Sequence, residues 1–140
     1  IITVGTPLDK KNKVRIDMIK RATREISSSM ANDSMIILRS TVKVGTTNTI
    51  VKSILAKSNK KFMLAFCPER TLEGDALSEL EKLPQIISGI DKRSLIRAEK
   101  IFQEIISTTV KVSTVETAQN LKIEFDSKKI SKKIDSEINK

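Results

Sequence analysis

Short apolar runs alternate with segments of helical periodicity over residues 1–112, and this alternation strongly constrains the fold. The runs are apolar at successive positions, as expected of strands buried on both faces. The predicted strands lie at residues 1–4, 35–38, 62–66, 85–88 and 108–112. The predicted helices lie at residues 17–31, 46–57 and 92–106, with a short helical turn at 77–83. This order predicts an α/β fold in which a parallel sheet is covered by helices on both sides.

The chain changes character after residue 113. Residues 114–140 contain no Gly or Pro and are rich in Lys, Ser, Asp and Glu. Apolar side chains keep helical spacing at Val115, Ala118, Leu121 and Phe125, and again at Ile130, Ile134 and Ile138. We therefore expect one long C-terminal helix with a narrow apolar face, which needs a partner or further chain to pack against.

Composition limits the classes of function. The net charge of +9 is compatible with a small basic module for nucleic acid or an acidic partner. The lysines are scattered, however, and four Phe with no Trp or Tyr make a poor platform for stacking bases. The chain has no His, which excludes His-based catalysis and His-ligated metal, and Cys67 is its one cysteine. A single cysteine fits a reducing cytoplasm, and no apolar run approaches the length of a membrane span. We therefore expect a cytoplasmic protein that binds neither nucleic acid, membrane nor metal.

Polar residues follow the first three predicted strands. Thr6 comes after the first strand, Thr41 after the second, and Glu69, Arg70 and Glu73 after the third. The carboxyl ends of parallel strands meet at one edge of a sheet, where open α/β sheets bind ligands. A carboxylate placed there can take a proton from an alcohol or a water. These side chains therefore form one candidate site.

Two threonines begin the second predicted helix. Thr46 and Thr47 lie where free N–H groups and the helix dipole favour an anion. The simpler alternative is that they cap the helix.

Four motifs in register carry a family resemblance. They are residues 4–7 (Val-Gly-Thr-Pro), 40–47 (Ser-Thr-Val-Lys-Val-Gly-Thr-Thr), 67–70 (Cys-Pro-Glu-Arg) followed by Glu73-Gly74, and 83–89 (Leu-Pro-Gln-Ile-Ile-Ser-Gly). Over residues 1 to 123 their order and spacing resemble the UDP-glucose/GDP-mannose dehydrogenase family. The Cys-Pro-Glu-Arg form looks most like the branch that acts on UDP-N-acetylhexosamines such as UDP-N-acetylmannosamine.

The resemblance implies a division of the chain. Residues 1–112 correspond to the C-terminal half of a Rossmann-type NAD-binding domain. Residues 113–140 correspond to the start of the central linking helix, which diverges from the family after residue 123 and builds a homodimer interface in full-length members.

The resemblance also implies an activity and roles. The enzyme uses NAD to oxidise the C6 alcohol of a UDP-sugar to the uronate for polysaccharide biosynthesis, in two hydride transfers through a thioester on a cysteine. Thr6 resembles a threonine that contacts NAD, and Glu73 a glutamate near the nicotinamide. Thr41 and Glu69 resemble the pair that holds a catalytic water, with Thr41 also at the cofactor.

Two further residues match the family's site. Lys122 resembles the active-site lysine, which stabilises an oxyanion and contacts substrate. Arg70 matches the arginine typical of the N-acetylhexosamine branch, and with Glu69 it completes the implied substrate-binding set.

The departures from the family are equally specific. The sequence has no Gly-x-Gly-x-x-Gly turn, and Asp126 stands where the family has an asparagine. Cys67 precedes the Pro-Glu pair, so it is not the nucleophile and is expected to pack at a strand end. We expect a fragment that does not catalyse by itself. The basic binding module is the alternative.

Overall fold

The described residues form an α/β arrangement of nine elements. The computed structural model describes residues 1–11, 14–70 and 83–138. The described strands are β1 (Ser34–Leu38), β2 (Phe62–Phe66), β3 (Gln85–Gly89) and β4 (Thr109–Lys111). The described helices are α1 (Asp17–Ser29), a π-helical turn (Thr47–Val51) that continues into α2 (Lys52–Ala56), α3 (Lys92–Gln103) and α4 (Val115–Ile138). The predicted short turn at 77–83 falls almost wholly outside the described residues.

The sheet is mostly parallel, with strand order β1-β2-β3-β4. β1 pairs with β2 in parallel, and so does β3 with β4. β2 and β3 are antiparallel, with Phe66 opposite Ser88. The α/β class is confirmed, but this one pairing corrects the expectation of a wholly parallel sheet. The sequence predicts no full crossover helix between these two strands, and parallel pairing requires such a crossover.

Residues 1–4 form a single bridge instead of the predicted strand. Ile2 pairs in parallel with Leu38, through hydrogen bonds from Ile2 N to Ile37 O and from Arg39 N to Ile2 O. One step further, Val4 O accepts from the Ser40 hydroxyl at 2.7 Å. A side chain thus takes the place of the backbone donor that would extend the ladder, and the segment still borders β1.

Both faces of the sheet are covered, as the apolar strands predict. α1, α2 and the start of α4 pack over one face, where Ile19, Leu38 and Phe66 are fully buried. α3 covers the other face through Ala98 and Phe102. Burial of apolar area on two sides is the main source of stability for such a sheet.

The ends of α1 and α3 differ in how the residues there are bonded. Asp91 caps α3, its carboxylate accepting from Ser94 N at 2.7 Å. Asp17 does not cap α1, because its carboxylate pairs with Arg15 at 2.8 Å and the helix already begins at Asp17. Ile105 continues the helical spacing of Ala98 and Phe102 in the sequence but is exposed. α3 ends at Gln103, and Ile106 is buried in its place.

Candidate functional site

Four of the predicted site residues line one cleft. It has a volume of about 400 Å³ and lies where residues 3–6, the ends of β1 and β2, and α4 meet. The four residues are Thr6, Thr41, Glu69 and Lys122. Three other surface hollows measure about 560, 640 and 670 Å³, and no acidic side chain of the described residues lines any of them. The cleft is therefore distinguished by its chemistry and not by its size.

Two side-chain hydrogen bonds join the first two walls of the cleft. The Thr6 hydroxyl donates to Thr41 O at 2.7 Å, and the Ser40 hydroxyl donates to Val4 O at 2.7 Å. Each hydroxyl proton is thus committed, while each oxygen keeps lone pairs that can accept. The bond from the Thr6 hydroxyl to the Thr41 backbone holds the two residues next to each other.

The third wall carries the carboxylate of Glu69. Its backbone N–H donates to Arg39 O at 3.2 Å, which extends the β1–β2 pairing past both strand ends. Glu69 Oε2 accepts from Arg39 Nη2 at 2.5 Å, and Oε1 accepts from Arg70 N at 2.8 Å. The Glu69 side chain is nevertheless 44% exposed. The carboxylate is therefore held by two hydrogen bonds and still faces the cleft.

Arg39 is a site residue that the sequence argument did not single out. Its side chain is only 9% exposed, yet it lines the cleft beside Glu69. The guanidinium also donates to Gln85 Oε1 at 3.1 Å and lies 5.0 Å from the centre of the Phe102 ring. A signal was available, since a charged residue directly follows the buried run of β1.

Gln85 was missed for a topological reason. The antiparallel pairing of β2 with β3 brings the first residue of β3 to the carboxyl end of β2. There Gln85 Nε2 donates to Pro68 O at 3.0 Å and to Ile86 O at 2.8 Å. A wholly parallel sheet would have put Gln85 at the opposite edge.

α4 supplies the last wall through Lys122, which is 7% exposed. The helix is anchored by Gln119, which accepts from Gly45 N at 2.9 Å and donates to Thr47 Oγ1 at 2.9 Å. Thr47 therefore faces α4, and Thr46, which directly precedes the π-helical turn, makes no side-chain cap bond. The predicted capping by these threonines is not what the structure has, and an anion at this helix start stays a prediction.

Among the described residues, one predicted site residue, Arg70, is not part of the cleft lining. Arg70 donates to Pro84 O at 2.5 Å, and its guanidinium lies 4.2 Å from the centre of the Phe125 ring. Burial lowers the pKa of this guanidinium. Arg70 thus joins the loop after β2 to the start of β3 and to α4. Glu73 lies outside the described residues.

Cys67 packs in the core, as predicted. It is 0% exposed, and burial raises the pKa of its thiol to about 12. A thiol needs its thiolate form to act as a nucleophile. Cys67 therefore does not supply one to the cleft.

Two other kinds of feature are absent from the described residues. Across the described ranges, no group of three or more Cys, Asp or Glu side chains is arranged to hold a metal ion. In the same ranges, no helix combines the length and apolar character needed to cross a membrane.

Comparisons with known proteins show which family the chain resembles. The profile of the "UDP-glucose/GDP-mannose dehydrogenase family, NAD binding domain" matches residues 1–106. The chain is 32% identical over 126 residues to the UDP-N-acetyl-D-mannosamine dehydrogenase of Methanocaldococcus jannaschii, which covers 88% of this chain and 29% of that relative. Protein CapL of Staphylococcus aureus is 26% identical over 129 residues, or 30% of its length.

Solved structures show the same fold. A ternary complex of GDP-mannose dehydrogenase from Pseudomonas aeruginosa superposes with a TM-score of 0.80 at 27% identity, over 92% of this chain and 31% of that one. The UDP-D-ManNAc dehydrogenase from Pyrococcus horikoshii gives 0.78 at 25% identity, over 85% and 29%.

The chain thus spans under a third of the length of these relatives, and the profile match covers most of the chain itself. It belongs to the UDP-glucose/GDP-mannose dehydrogenase family, and the part that matches is that family's NAD binding domain.

Proposed function

We propose that this chain forms part of an NAD-dependent nucleotide-sugar 6-dehydrogenase that oxidises the C6 alcohol of a UDP-sugar to the carboxylate. A substrate of the UDP-N-acetylmannosamine type is favoured by the relatives of that name. The observation that carries the proposal is the cleft that gathers Thr6, Thr41, Glu69 and Lys122. We place the whole enzyme in the cytoplasm, as a homodimer acting in polysaccharide biosynthesis.

The residues that line the cleft are suited to binding part of an NAD molecule. A cleft of about 400 Å³ at the carboxyl edge of the sheet lies within the range of small-molecule sites. Thr6 and Thr41 offer hydroxyl oxygens there, and nothing lies within 4 Å of the position that a Gly5 side chain would occupy. NAD, when bound, supplies the acceptor for the hydride. We assign Thr6, Thr41 and Glu73 to holding it.

The chemistry of the alcohol falls to Glu69 and Lys122. Glu69, held by two donors and open to the cleft, takes a proton from the alcohol or, together with Thr41, from a water. Lys122 places a positive charge beside the oxygen that becomes negative as the proton leaves. Arg70 belongs to the substrate-binding set of this proposal, since it links the loop of Glu69 to α4.

The test is a chimeric enzyme. The matched segment of the Methanocaldococcus jannaschii relative is replaced by residues 1–123, and NADH formation is followed with UDP-N-acetylmannosamine and with UDP-glucose. We expect turnover with the first substrate and a loss of about 10²–10⁴-fold in Glu69→Gln, the usual contribution of a general base. Glu25→Gln, in an exposed pair on α1, is the matched control and keeps full activity. A folded chimera that binds NAD and forms no NADH contradicts the proposal.

The 140-residue chain alone is expected to form no NADH from NAD and UDP-N-acetylmannosamine. The chain spans only 29% of the length of the Methanocaldococcus jannaschii relative, and its one cysteine is buried with a raised pKa, so it offers no thiol for the thioester step. NADH formation above a protein-free background would show that this expectation is wrong.

A basic binding module is the second candidate. One face of α3 carries Lys92, Arg93, Arg97 and Lys100 around a hollow of about 670 Å³. Neutralisation of phosphates by such cations makes binding fall steeply with salt. Binding of DNA or RNA that persists at physiological salt and weakens steeply above it would favour this candidate. The basic module does not explain the residues gathered in the cleft.

A further inference from the structure

We propose that Arg39 is the positioning residue of the cleft: it holds the Glu69 carboxylate in one orientation and keeps it negatively charged. The inference rests on the function proposed above, because it assigns a role through Glu69. No motif of the sequence analysis included Arg39, and its role follows from its contacts.

Arg39 is fixed from three sides. Its two terminal nitrogens donate in different directions, Nη2 to Glu69 Oε2 at 2.5 Å and Nη1 to Gln85 Oε1 at 3.1 Å. The Phe102 ring lies against the guanidinium, with 5.0 Å between the guanidinium carbon and the ring centre. A planar fork that bonds two acceptors while stacking on a ring is specific to arginine, since lysine has a single ammonium.

The neighbours of Arg39 leave it one charge partner among its recorded contacts. Gln85 is neutral, and its amide is itself held by Pro68 O and Ile86 O. A cation that is only 9% exposed needs a carboxylate nearby, and Glu69 is that carboxylate. The two side chains are therefore coupled: Arg39 is stable where it is because Glu69 is ionised, and Glu69 is ionised more readily because Arg39 is there.

The contact with Arg39 helps to fix the carboxylate of Glu69, which is the part of the side chain that faces the cleft. Oε2 is bound to Arg39 and Oε1 to the backbone N–H of Arg70, so rotation about the last side-chain bond breaks one of the two bonds. At 44% exposure the carboxylate keeps lone pairs for a substrate or a water. Orientation of a general base within hydrogen-bond reach of its proton is a direct requirement for its action.

Among the described residues, two cations line the cleft with Glu69 and a third is its neighbour along the chain. Arg39 follows β1, Arg70 follows Glu69 along the chain, and Lys122 comes from α4 across the cleft. Arg39 forms an ion pair with the Glu69 carboxylate. Removal of Arg39 makes ionisation of Glu69 less favourable, so the carboxylate holds its proton to a higher pH.

The first experiment needs no activity. The titration midpoint of the Glu69 carboxyl carbon is measured by NMR in the 140-residue chain, for the wild type, Arg39→Gln, Arg39→Lys and Arg21→Gln. We expect a rise of about one pH unit in Arg39→Gln, the lower end of the usual effect of a close charge because Glu69 is half-exposed. Arg39→Lys keeps most of the charge effect. Arg21→Gln, which removes an exposed pair with Glu25, changes nothing at Glu69. An unchanged midpoint in folded Arg39→Gln overturns the inference.

The second experiment separates charge from orientation in the chimeric enzyme. Arg39→Lys is expected to lower kcat about 10- to 100-fold with KM nearly unchanged, because the charge remains while the fork and the stacking are lost. Arg39→Gln moves the acid limb of the pH–rate profile to higher pH. Wild-type kinetics in both variants would overturn the inference.

Two controls keep the results interpretable. Should Arg39→Gln fail to fold, Gln85→Leu carries the test, because it removes one acceptor of Arg39 without changing a charge or a residue lining the cleft. It is expected to lower kcat, and an unchanged kcat counts against the inference. Failure of the wild-type chimera to form NADH rejects the proposed function, whereas the Glu69 titration still decides the coupling to Arg39.

Discussion

At the scale of single residues, the cleft depends on polar side chains whose partners come from distant segments. Thr6, Thr41 and Glu69 could be predicted because each lies within three residues of the end of an apolar run, and parallel strands end at a common edge. Arg39 directly follows β1 and offered the same signal, whereas Gln85 could not be placed in this way. Their contact exists only because β2 and β3 are antiparallel, and no local signal in the sequence fixes the direction of β3.

Cys67 gives a prediction at this scale. Because burial raises the pKa of its thiol to about 12, the thiolate fraction at pH 8 is on the order of 10⁻⁴. We expect the native chain to resist alkylation by iodoacetamide at pH 8, and the unfolded chain to react fully. Mass spectrometry of the two samples measures the difference, and fast alkylation of the folded chain would show that Cys67 is accessible.

At the scale of elements, the main question is how α4 reaches the cleft. Its helical spacing was visible in the sequence, and a continuous helix from Val115 to Ile138 confirms it. The way α4 attaches to the rest of the fold could not be predicted. Gln119 is polar, and the helical period of the apolar residues does not decide which face of the helix it lies on. In the structure Gln119 is 0% exposed and bonds Gly45 and Thr47, which places Lys122 one turn further along.

Gln119→Leu tests this attachment. The change keeps the size of the side chain but leaves the Gly45 N–H and the Thr47 hydroxyl without their partner, at a cost of about 2–4 kcal/mol in unfolding free energy. Gln103→Leu, where the lost contact is exposed and 3.4 Å long, is the matched control and costs less than about 0.5 kcal/mol. Urea unfolding measures both. Equal stability of the two variants would mean that Gln119 does not anchor α4.

The junction of β3 and α3 gives a second prediction for an element. A side-chain carbon at Gly89 would lie 2.4 Å from Leu95 N and 2.9 Å from Asp91 O, both backbone atoms that cannot move aside cheaply. Gly89→Ala is expected to cost about 2 kcal/mol or more. Gly5→Ala, which meets nothing within 4 Å, is expected to leave stability within about 0.5 kcal/mol of the wild type. Thermal unfolding of the two variants decides, and a stable Gly89→Ala protein would contradict the packing described.

At the scale of the whole molecule, two helical layers enclose a sheet whose carboxyl edge carries the cleft. Alternating apolar runs and helical periods made this architecture predictable. Residues 1–4 show the limit of that argument: they have the composition of a strand, yet Ser40 takes the place of a backbone donor and leaves a single bridge. Two groups of cations contribute to the net charge of +9: those that line the cleft and those on the basic face of α3.

NMR mapping of NAD binding to the 140-residue chain tests the central claim most directly. Backbone and methyl resonances are followed as NAD is added to the wild type and to Thr6→Val. The account predicts shifts that cluster at Thr6, Thr41 and Lys122, and that weaken in Thr6→Val because one hydroxyl of the cleft is lost. Shifts centred on Arg97 and Lys100 of α3, or no shifts at all, would contradict the assignment of this cleft as the cofactor site.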